Sequence, residues 1–569
     1  MQKKRMSLLS TVVITSAILF HSTTVMGANH SPIHSPTIEV KEEKEITNVP
    51  HPRFSWDNPG PTSPVLHPGS IKGAGMVEGP LHAIDQTMNS LIEEGMMPGA
   101  VTFVARRGHI VQHESYGHAL LYSDDAGNYV DNPIKMKKDT IFDLASISKI
   151  FTTTAAMILY EDGHFKLDDP VADYIPEFAE NGKENVTIRQ LMTHTSGFTS
   201  WVPLYTIGEN REERLQYVFQ YPLANEPGTT YTYSDLNMIT LGALIERLSG
   251  QGLDEYVFEN ITKPLKMTDT MYNPPESLKH RIAATEYQPW TNRGVVWGEV
   301  HDENAWSLDG IAGHAGVFST AHDLGKLAHM FINEGRYGGK RILQPETIQL
   351  LVENQIPEFP GNDHGLGWEL SQGWYMDALS ESSTLGHTGY TGTSIVVNLN
   401  NDTIAILLTN RVHPTRETVS TNPARRALSR HVADAIPVKL PNKRGKAWFA
   451  GYGDELNRPL TLEVDIKQDA TLRFDTWYRT EQGYDFGFVE VSDDGETWSP
   501  LRTFSGSSVD FVKETLEIPA GTTHIRFRYQ TDATTNGRGW YVSNLQLADP
   551  SQRELPINIT ENEWEKRNY

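Results

Sequence analysis

Residues 142–163 read FDLASISKIFTTTAAMILYEDG, an apolar helix whose first turn holds Ser146 and Lys149. Three residues apart on a helix means one face. That spacing sets an amine against a hydroxyl, and a lysine kept neutral by burial or by neighbouring charge takes a serine proton. The helix N-terminus adds partial positive charge beside an attacked carbonyl. Alone the pair says little, because about two Ser-x-x-Lys spacings arise by chance in a chain of this length. A capping serine beside a surface lysine is the alternative.

Two later stretches change the reading. Residues 226–242, EPGTTYTYSDLNMITLG, place Tyr233, Ser234 and Asp235 between a Pro-Gly turn and a helix. A phenol there can relay a proton if a cation such as Lys149 lowers it from its ordinary value near 10; a buried tyrosine with a satisfied hydroxyl is the plainer reading. The triplet recurs at Tyr122, Ser123 and Asp124, but it runs into the polar loop DDAGNYVDN with no helix behind it and is set aside. Residues 386–410, GHTGYTGTSIVVNLNNDTIAILLTN, lead His387, Thr388 and Gly389 into an apolar strand that turns at Asn400 and Asn401 into another. Such a strand presents a backbone amide to an oxyanion, and each well-aimed donor contributes about 3 kcal/mol in acyl transfer. A competing His-x-Gly at His314 to Gly316 is followed by a helical pattern, so His387 is preferred.

Around these stretches the chain divides. It has 569 residues, 49 Lys+Arg against 72 Asp+Glu, a formal charge of −23, 38% hydrophobic residues and no cysteine. The missing cysteine excludes disulfide scaffolds, thiolate-zinc and iron-sulfur sites, cysteine nucleophiles and cysteine-anchored lipoproteins. The acidic balance argues against nucleic-acid binding. Residues 1–28 carry Lys3, Lys4 and Arg5, an apolar run from Leu8 to Phe20 and small residues at Gly27 and Ala28. This is the pattern of a cleavable signal peptide for secretion, too short to span a bilayer. Residues 29–80 hold nine prolines and four irregularly spaced histidines and read as a linker, free or partly pinned to the surface. From Leu81 helical and strand-like segments alternate to Ile436, and residues 437–448 form a second linker. Residues 449–550 alternate in short runs: in THIRFRYQ (523–530) Ile525, Phe527 and Tyr529 share one face, and DDG (493–495) marks a hairpin. These features predict an antiparallel β-sandwich followed by a tail, residues 551–569.

With the three motifs in this order, residues 81–436 resemble the serine hydrolases of the class C β-lactamase and penicillin-binding-protein superfamily. The phrases LMTHTSGF (191–198) and LDDPVADYIPEF (167–178) add to the likeness. The resemblance implies an α/β (α+β) catalytic domain, an antiparallel sheet flanked by helices. It also implies that Ser146 is the nucleophile, that Lys149 and Tyr233 move protons, that His387, opening the third motif, belongs with them to the catalytic group that meets substrate, and that the amides of Ser146 and Tyr390 form the oxyanion hole. Thr388, Gly389 and Asp235 then border the substrate, and no cofactor or metal is needed. Two departures matter: Asp235 stands where the family commonly has Asn, and His387 where it commonly has Lys. A histidine is mostly neutral at pH 7, so carboxylate-directed β-lactam chemistry is less secure than amide or ester hydrolysis.

The phrase WGEVHDENAWSLDGIAGHAGVFST (297–320) resembles a branch of the family that includes amidases acting on muramoyl peptides, which implies peptidoglycan fragments as substrate. His301, Asp302 and Glu303 within it match no zinc spacing, and a loop held by buried polar bonds is expected instead. The segment from Trp448 to Trp540 resembles the β-sandwich accessory domains of immune-inhibitor-A-like metallopeptidases. Its aromatics Trp477, Tyr478, Tyr484, Trp498 and Trp540 either contact cell-wall carbohydrate or build the sandwich core, and Asp493 and Asp494 are candidate calcium ligands. The expectation is a secreted serine hydrolase working through an acyl-enzyme on an amide of peptidoglycan or muropeptide material. An esterase, weak β-lactamase or DD-peptidase on the same site is the first alternative, and a non-catalytic penicillin-binding or surface-adhesion protein the second. There is no GxSxG elbow, GxxxxGK loop or dinucleotide fingerprint to suggest other chemistry.

Overall fold

The computed structural model describes residues 54–442 and 445–569. The expected signal peptide, the first part of the Pro-rich segment and two residues of the second linker lie outside the described residues. No helix among the described residues is long and apolar enough to cross a membrane.

The catalytic domain is organised by an eight-stranded sheet drawn from both of its ends. Gly99–Arg106 and His109–Tyr122 form an early hairpin, and Thr384–Thr388, Ser394–Asn398 and Thr403–Thr409 form a late antiparallel meander. The halves join where Thr403–Thr409 pairs antiparallel with Gly99–Arg106. Alternation along these strands gives the sheet two apolar faces. Ala100, Val104, Ala405 and Leu407 pack under the helices Glu78–Glu93 and Asn422–Ala435. Val101, Phe103, Ile406 and Leu408 face the other way, into the core that contains Ser148–Glu161, Asp235–Ser249 and Ala321–Ile332. Ser148–Glu161 is buried on nearly every side, its apolar residues packed in the core and its buried threonines satisfied by hydrogen bonds to backbone carbonyls. Asp235–Ser249 ends at Gly250, which takes the left-handed conformation (φ 70°) that glycine adopts without a Cβ clash.

Part of the Pro-rich segment belongs to the fold. His67–Pro68 pairs parallel with His109 and Ile110, and Ala74 and Met76 are fully buried. The first helix starts at Glu78 rather than Leu81. The prolines mask this role, because isolated apolar residues between them show no periodicity.

The C-terminal domain is a sandwich of two five-stranded antiparallel sheets. Ile525, Phe527 and Tyr529 point inward with Trp540, while Arg526 and Arg528 point outward onto Glu490. Trp477 and Trp540 are core residues and Tyr478 is partly buried, whereas Tyr484 is exposed. The sandwich extends past its expected limits at both ends. Val438 and Leu440, in the expected linker, are buried with Phe449, Trp477 and Tyr541. Asn558–Asn562 and Glu565–Arg567, in the expected tail, add an edge strand to each sheet and bury Trp564 between them. These late strands are charged on their exposed faces, so their composition alone reads as a tail. Ion pairs Arg430–Asp454 (2.5 Å) and Arg479–Glu381 (3.0 Å) tie the sandwich to the catalytic domain.

Candidate active site

Ser146 sits on a short 3-10 turn, Ala145–Ile147, just ahead of the helix Ser148–Glu161. The residue before it is strained: Ala145 has φ 47°, a left-handed conformation that costs a side-chain-bearing residue about 1 kcal/mol. The buried Asp143 carboxylate holds this turn by accepting the Ala145 amide at 2.8 Å and the His301 amide at 2.6 Å. From the other side, Thr391 Oγ1 donates to the Asp143 carbonyl (2.8 Å) and Thr393 Oγ1 to the Leu144 carbonyl (3.1 Å). The hairpin after His387 is therefore clasped to the backbone that presents Ser146. Only glycine permits that approach, since a Cβ on Gly389 would stand 2.4 Å from the Leu144 carbonyl oxygen.

Lys149 is fully buried and its Nζ is the hub of the site. It donates to Ser146 Oγ (2.8 Å) and to the His314 carbonyl (3.2 Å), and pairs with Asp235 Oδ1 (2.8 Å). The Tyr233 ring lies 4.8 Å from it. Burial alone would lower the amine, but the Asp235 carboxylate outweighs it and holds Lys149 above its ordinary range. The expectation of a lysine kept neutral by burial is thus corrected: the resting amine is an ammonium in an ion pair. The phenol does not rest as phenolate either, because burial raises Tyr233 further than Lys149 lowers it.

The Tyr233 loop is fixed by the phrase around His194. His194 Nδ1 accepts the Ser234 amide (3.1 Å), its ring lies 4.6 Å from Tyr233, and Asn237 bonds to both His194 and Ser196. His387 is also buried, with its ring 6.1 Å from Tyr233 and its Nδ1 on the Thr388 carbonyl (2.7 Å). Burial, with Lys149 nearby, pushes it down to about 3, so it is neutral and stands behind the tyrosine rather than in the cleft. Its expected place among the groups that meet substrate is not what the geometry shows.

The cleft beside Ser146 has a volume of about 510 Å³ and is bordered by Tyr233, Thr388, Gly389, Tyr390, Glu369 and Arg411. Tyr390 is exposed, with the His301 ring stacked on it at 5.7 Å and Arg416 at 5.6 Å. His301 Nε2 meets Glu286 at 2.9 Å, and Arg416 bridges Glu286 and Glu303 at 2.6 Å each. The loop around His301 is held by buried polar bonds, as expected. Its neighbours Asp302 and His314 bond at 2.7 Å and stand close to Asp235. The set-aside His-x-Gly triplet therefore also belongs to the site, through the His314 carbonyl on Lys149. Glu369 was not legible in the sequence: it lies in no motif, yet burial pushes its carboxyl up to about 7.

The chain matches the family described as Beta-lactamase over residues 84–430. It belongs to that family. The match covers the whole constellation from the Glu78–Glu93 helix to Arg430, and identifies a serine hydrolase of the β-lactamase and penicillin-binding-protein type. Among curated relatives of the family, a protein of Escherichia coli K12 named "Putative D-alanyl-D-alanine carboxypeptidase" is 32% identical over 382 residues, 62% of this chain and 86% of that protein. An N-acetylmuramyl-L-alanine amidase of Bacillus subtilis strain 168 is 32% identical over 364 residues, 58% of this chain and 81% of that protein. Among solved structures, a penicillin-binding protein homologue from Caulobacter crescentus is 18% identical and aligns with a TM-score of 0.49, covering 62% of this chain and 97% of that one.

Proposed function

We propose that the protein is a secreted hydrolase that cleaves an amide of peptidoglycan or muropeptide material through an acyl-enzyme on Ser146. The observation that carries this reading is Lys149 Nζ, held 2.8 Å from both Ser146 Oγ and Asp235 at the edge of an open cleft. Ser146 Oγ attacks the carbonyl, and its proton passes into the group formed by Tyr233 Oη, Lys149 Nζ and Asp235, which returns it to the leaving amine. The backbone amides of Ser146 and Tyr390 receive the oxyanion, and water releases the acyl group. Support for the substrate class comes from the B. subtilis amidase and from the E. coli relative's name. Support for secretion comes from the pattern of residues 1–28.

A second reading, removal of a terminal D-amino acid, is favoured by one feature. Where the third motif offers only a neutral histidine, Arg411 borders the cleft and supplies a cation for a terminal carboxylate. Incubation with intact muropeptides, a chromogenic cephalosporin and nitrophenyl esters separates the cases. Release of the peptide from the muramoyl group supports the amidase, release of a terminal D-amino acid supports the carboxypeptidase, and ester cleavage alone refutes both. Ser146→Ala is expected to abolish every activity while leaving the thermal transition in place.

A further inference from the structure

The two oxyanion donors proposed for Ser146 and Tyr390 come from segments far apart in the chain, the turn Ala145–Ile147 and the loop after Thr384–Thr388. Neither amide donates to a backbone carbonyl among the described residues, which leaves both open to an oxyanion. An open amide stabilises that charge only if its direction is fixed before the charge develops. One buried residue outside the proton-transfer group, His301, touches the supports of both donors.

On the Ser146 side the contact runs through the backbone. The His301 amide donates to Asp143 Oδ2 (2.6 Å), and Asp143 Oδ1 accepts the amide of Ala145 (2.8 Å), the strained residue next to Ser146. One buried carboxylate therefore ties His301 to the turn that aims the first donor. On the Tyr390 side the contact runs through the ring. Tyr390 lies on the turn between Thr384–Thr388 and Ser394–Asn398 and is 55% exposed. Its phenol ring stacks on the His301 imidazole at 5.7 Å, with 24° between the planes. Stacked rings at this distance attract each other beyond the area they bury.

The imidazole serves as an abutment because it is itself held on several sides. Its Nε2 meets Glu286 Oε2 at 2.9 Å, and the His301 carbonyl accepts Gln288 Nε2 (3.1 Å) and Arg293 Nη2 (3.0 Å). Glu286 is held in turn by Arg416, which bonds to it and to Glu303 at 2.6 Å each. The Arg416 guanidinium lies 5.0 Å from the Trp290 ring and 5.6 Å from the Tyr390 ring. A ring fixed by its amide, its carbonyl and its Nε2 has one orientation to offer the tyrosine stacked on it.

We propose that His301 is a positioning residue of the oxyanion hole: anchored through Asp143 to the turn that carries Ser146, its imidazole sets the Tyr390 donor in register with that turn. The inference rests on Ser146 as the acyl-enzyme nucleophile but not on which substrate is cleaved. An oxyanion forms in every acyl transfer, both when Ser146 attacks and when water releases the acyl group. Loosening one donor therefore slows ester and amide cleavage alike. It acts on kcat more than on KM, because the charge exists only in the transition state and the intermediate.

The test compares the full wild-type chain with His301→Ala, His301→Phe, Tyr390→Ala and the double variant of the two alanine changes. The readouts are kcat and KM for a nitrophenyl ester, and the affinity of phenylboronic acid, which bonds Ser146 Oγ at boron and places a boron hydroxyl where the oxyanion forms. His301→Ala is expected to lower kcat by about 10–100-fold, to weaken boronic acid binding by a similar factor and to change KM by less than about threefold. His301→Phe keeps a stacking face and should recover kcat to within about fivefold of the wild type. Because His301 acts through the Tyr390 ring, the double variant should fall within about threefold of the weaker single variant. A folded His301→Ala chain with kcat within about twofold of the wild type overturns the proposal, as does a loss confined to KM or two alanine losses that multiply in full. If His301→Ala does not fold, Tyr390→Ala decides: unchanged kcat and boronic acid affinity mean that the ring positions nothing, and the proposal falls. A wild-type chain that neither cleaves the ester nor binds the boronic acid refutes the Ser146 reading and this inference together. Failure to cleave muropeptides, with the ester results as expected, refutes only the amidase.

Discussion

Replacing Asp235 with Asn tests the electrostatics of the site most directly, because it restores the amide common in the family while removing the partner of a fully buried ammonium. The pair is separated by 2.8 Å between Nζ and Oδ1, with the lysine 0% and the aspartate 17% exposed. At an effective dielectric near 20 and a charge separation of about 4 Å, the lost attraction is about 4 kcal/mol, equivalent to about three pH units in the lysine's titration. Part of this is returned by relaxation and by water reaching the exposed edge of residue 235, so a net destabilisation of about 2–3 kcal/mol at pH 7 is expected. The sign of the pH dependence is the sharper measurement. In the wild type Lys149 is raised above its unfolded value. Its contribution is then fully present below the unfolded value near 10.4 and is lost only above the folded one, so stability is flat in this term from pH 7 to 9. In the variant burial prevails and the folded lysine titrates below the unfolded one. The unfolded chain then binds more protons, and stability climbs with pH over the same interval. Denaturant melts at pH 7, 8 and 9, paired with kcat/KM for a nitrophenyl ester, read both effects. The kcat/KM profile of the variant should show a new limb at lower pH. If the variant's stability is as flat with pH as the wild type's, and no limb appears, Asp235 is not what keeps Lys149 charged.

Gly389→Ala places a methyl 2.1 Å from Thr393 Oγ1 and 2.4 Å from the Leu144 carbonyl, so the strand end must withdraw from the nucleophile. Steady-state kinetics should show a fall of about 10² in kcat or more, with far less change in KM, because displacing an oxyanion donor by about 1 Å acts on the transition state. Glu369→Gln probes the raised carboxyl. With its folded value at about 7 against 4.5 unfolded, the wild type binds the extra proton when folded and loses stability as pH rises through that interval. The Gln variant should lack this slope and be the more stable protein at pH 8 by about 2 kcal/mol, as measured by paired melts at pH 5 and pH 8.

The sequence by itself determined which chemistry the chain can perform. Ser146 and Lys149 share a face because a helix turn places residues three apart together, and Tyr233 and Gly389 follow at the ends of recognisable turn and strand patterns. The sandwich was legible for the same reason, since Ile525, Phe527 and Tyr529 alternate with arginines at the period of a pleated strand. These are local rules, and local rules do not assign partners across space. Only the tertiary structure decided that Asp235 is the counter-ion of Lys149, that the His314 carbonyl completes its surroundings, and that His387 stands behind Tyr233 instead of in the cleft. The same holds for Glu369 and for the strands of the apparent tail, whose sequences carry no distinguishing pattern. The physical reason is that the charge state of a buried group depends on what surrounds it within about 5 Å, and in this fold those neighbours come from segments far apart in the chain.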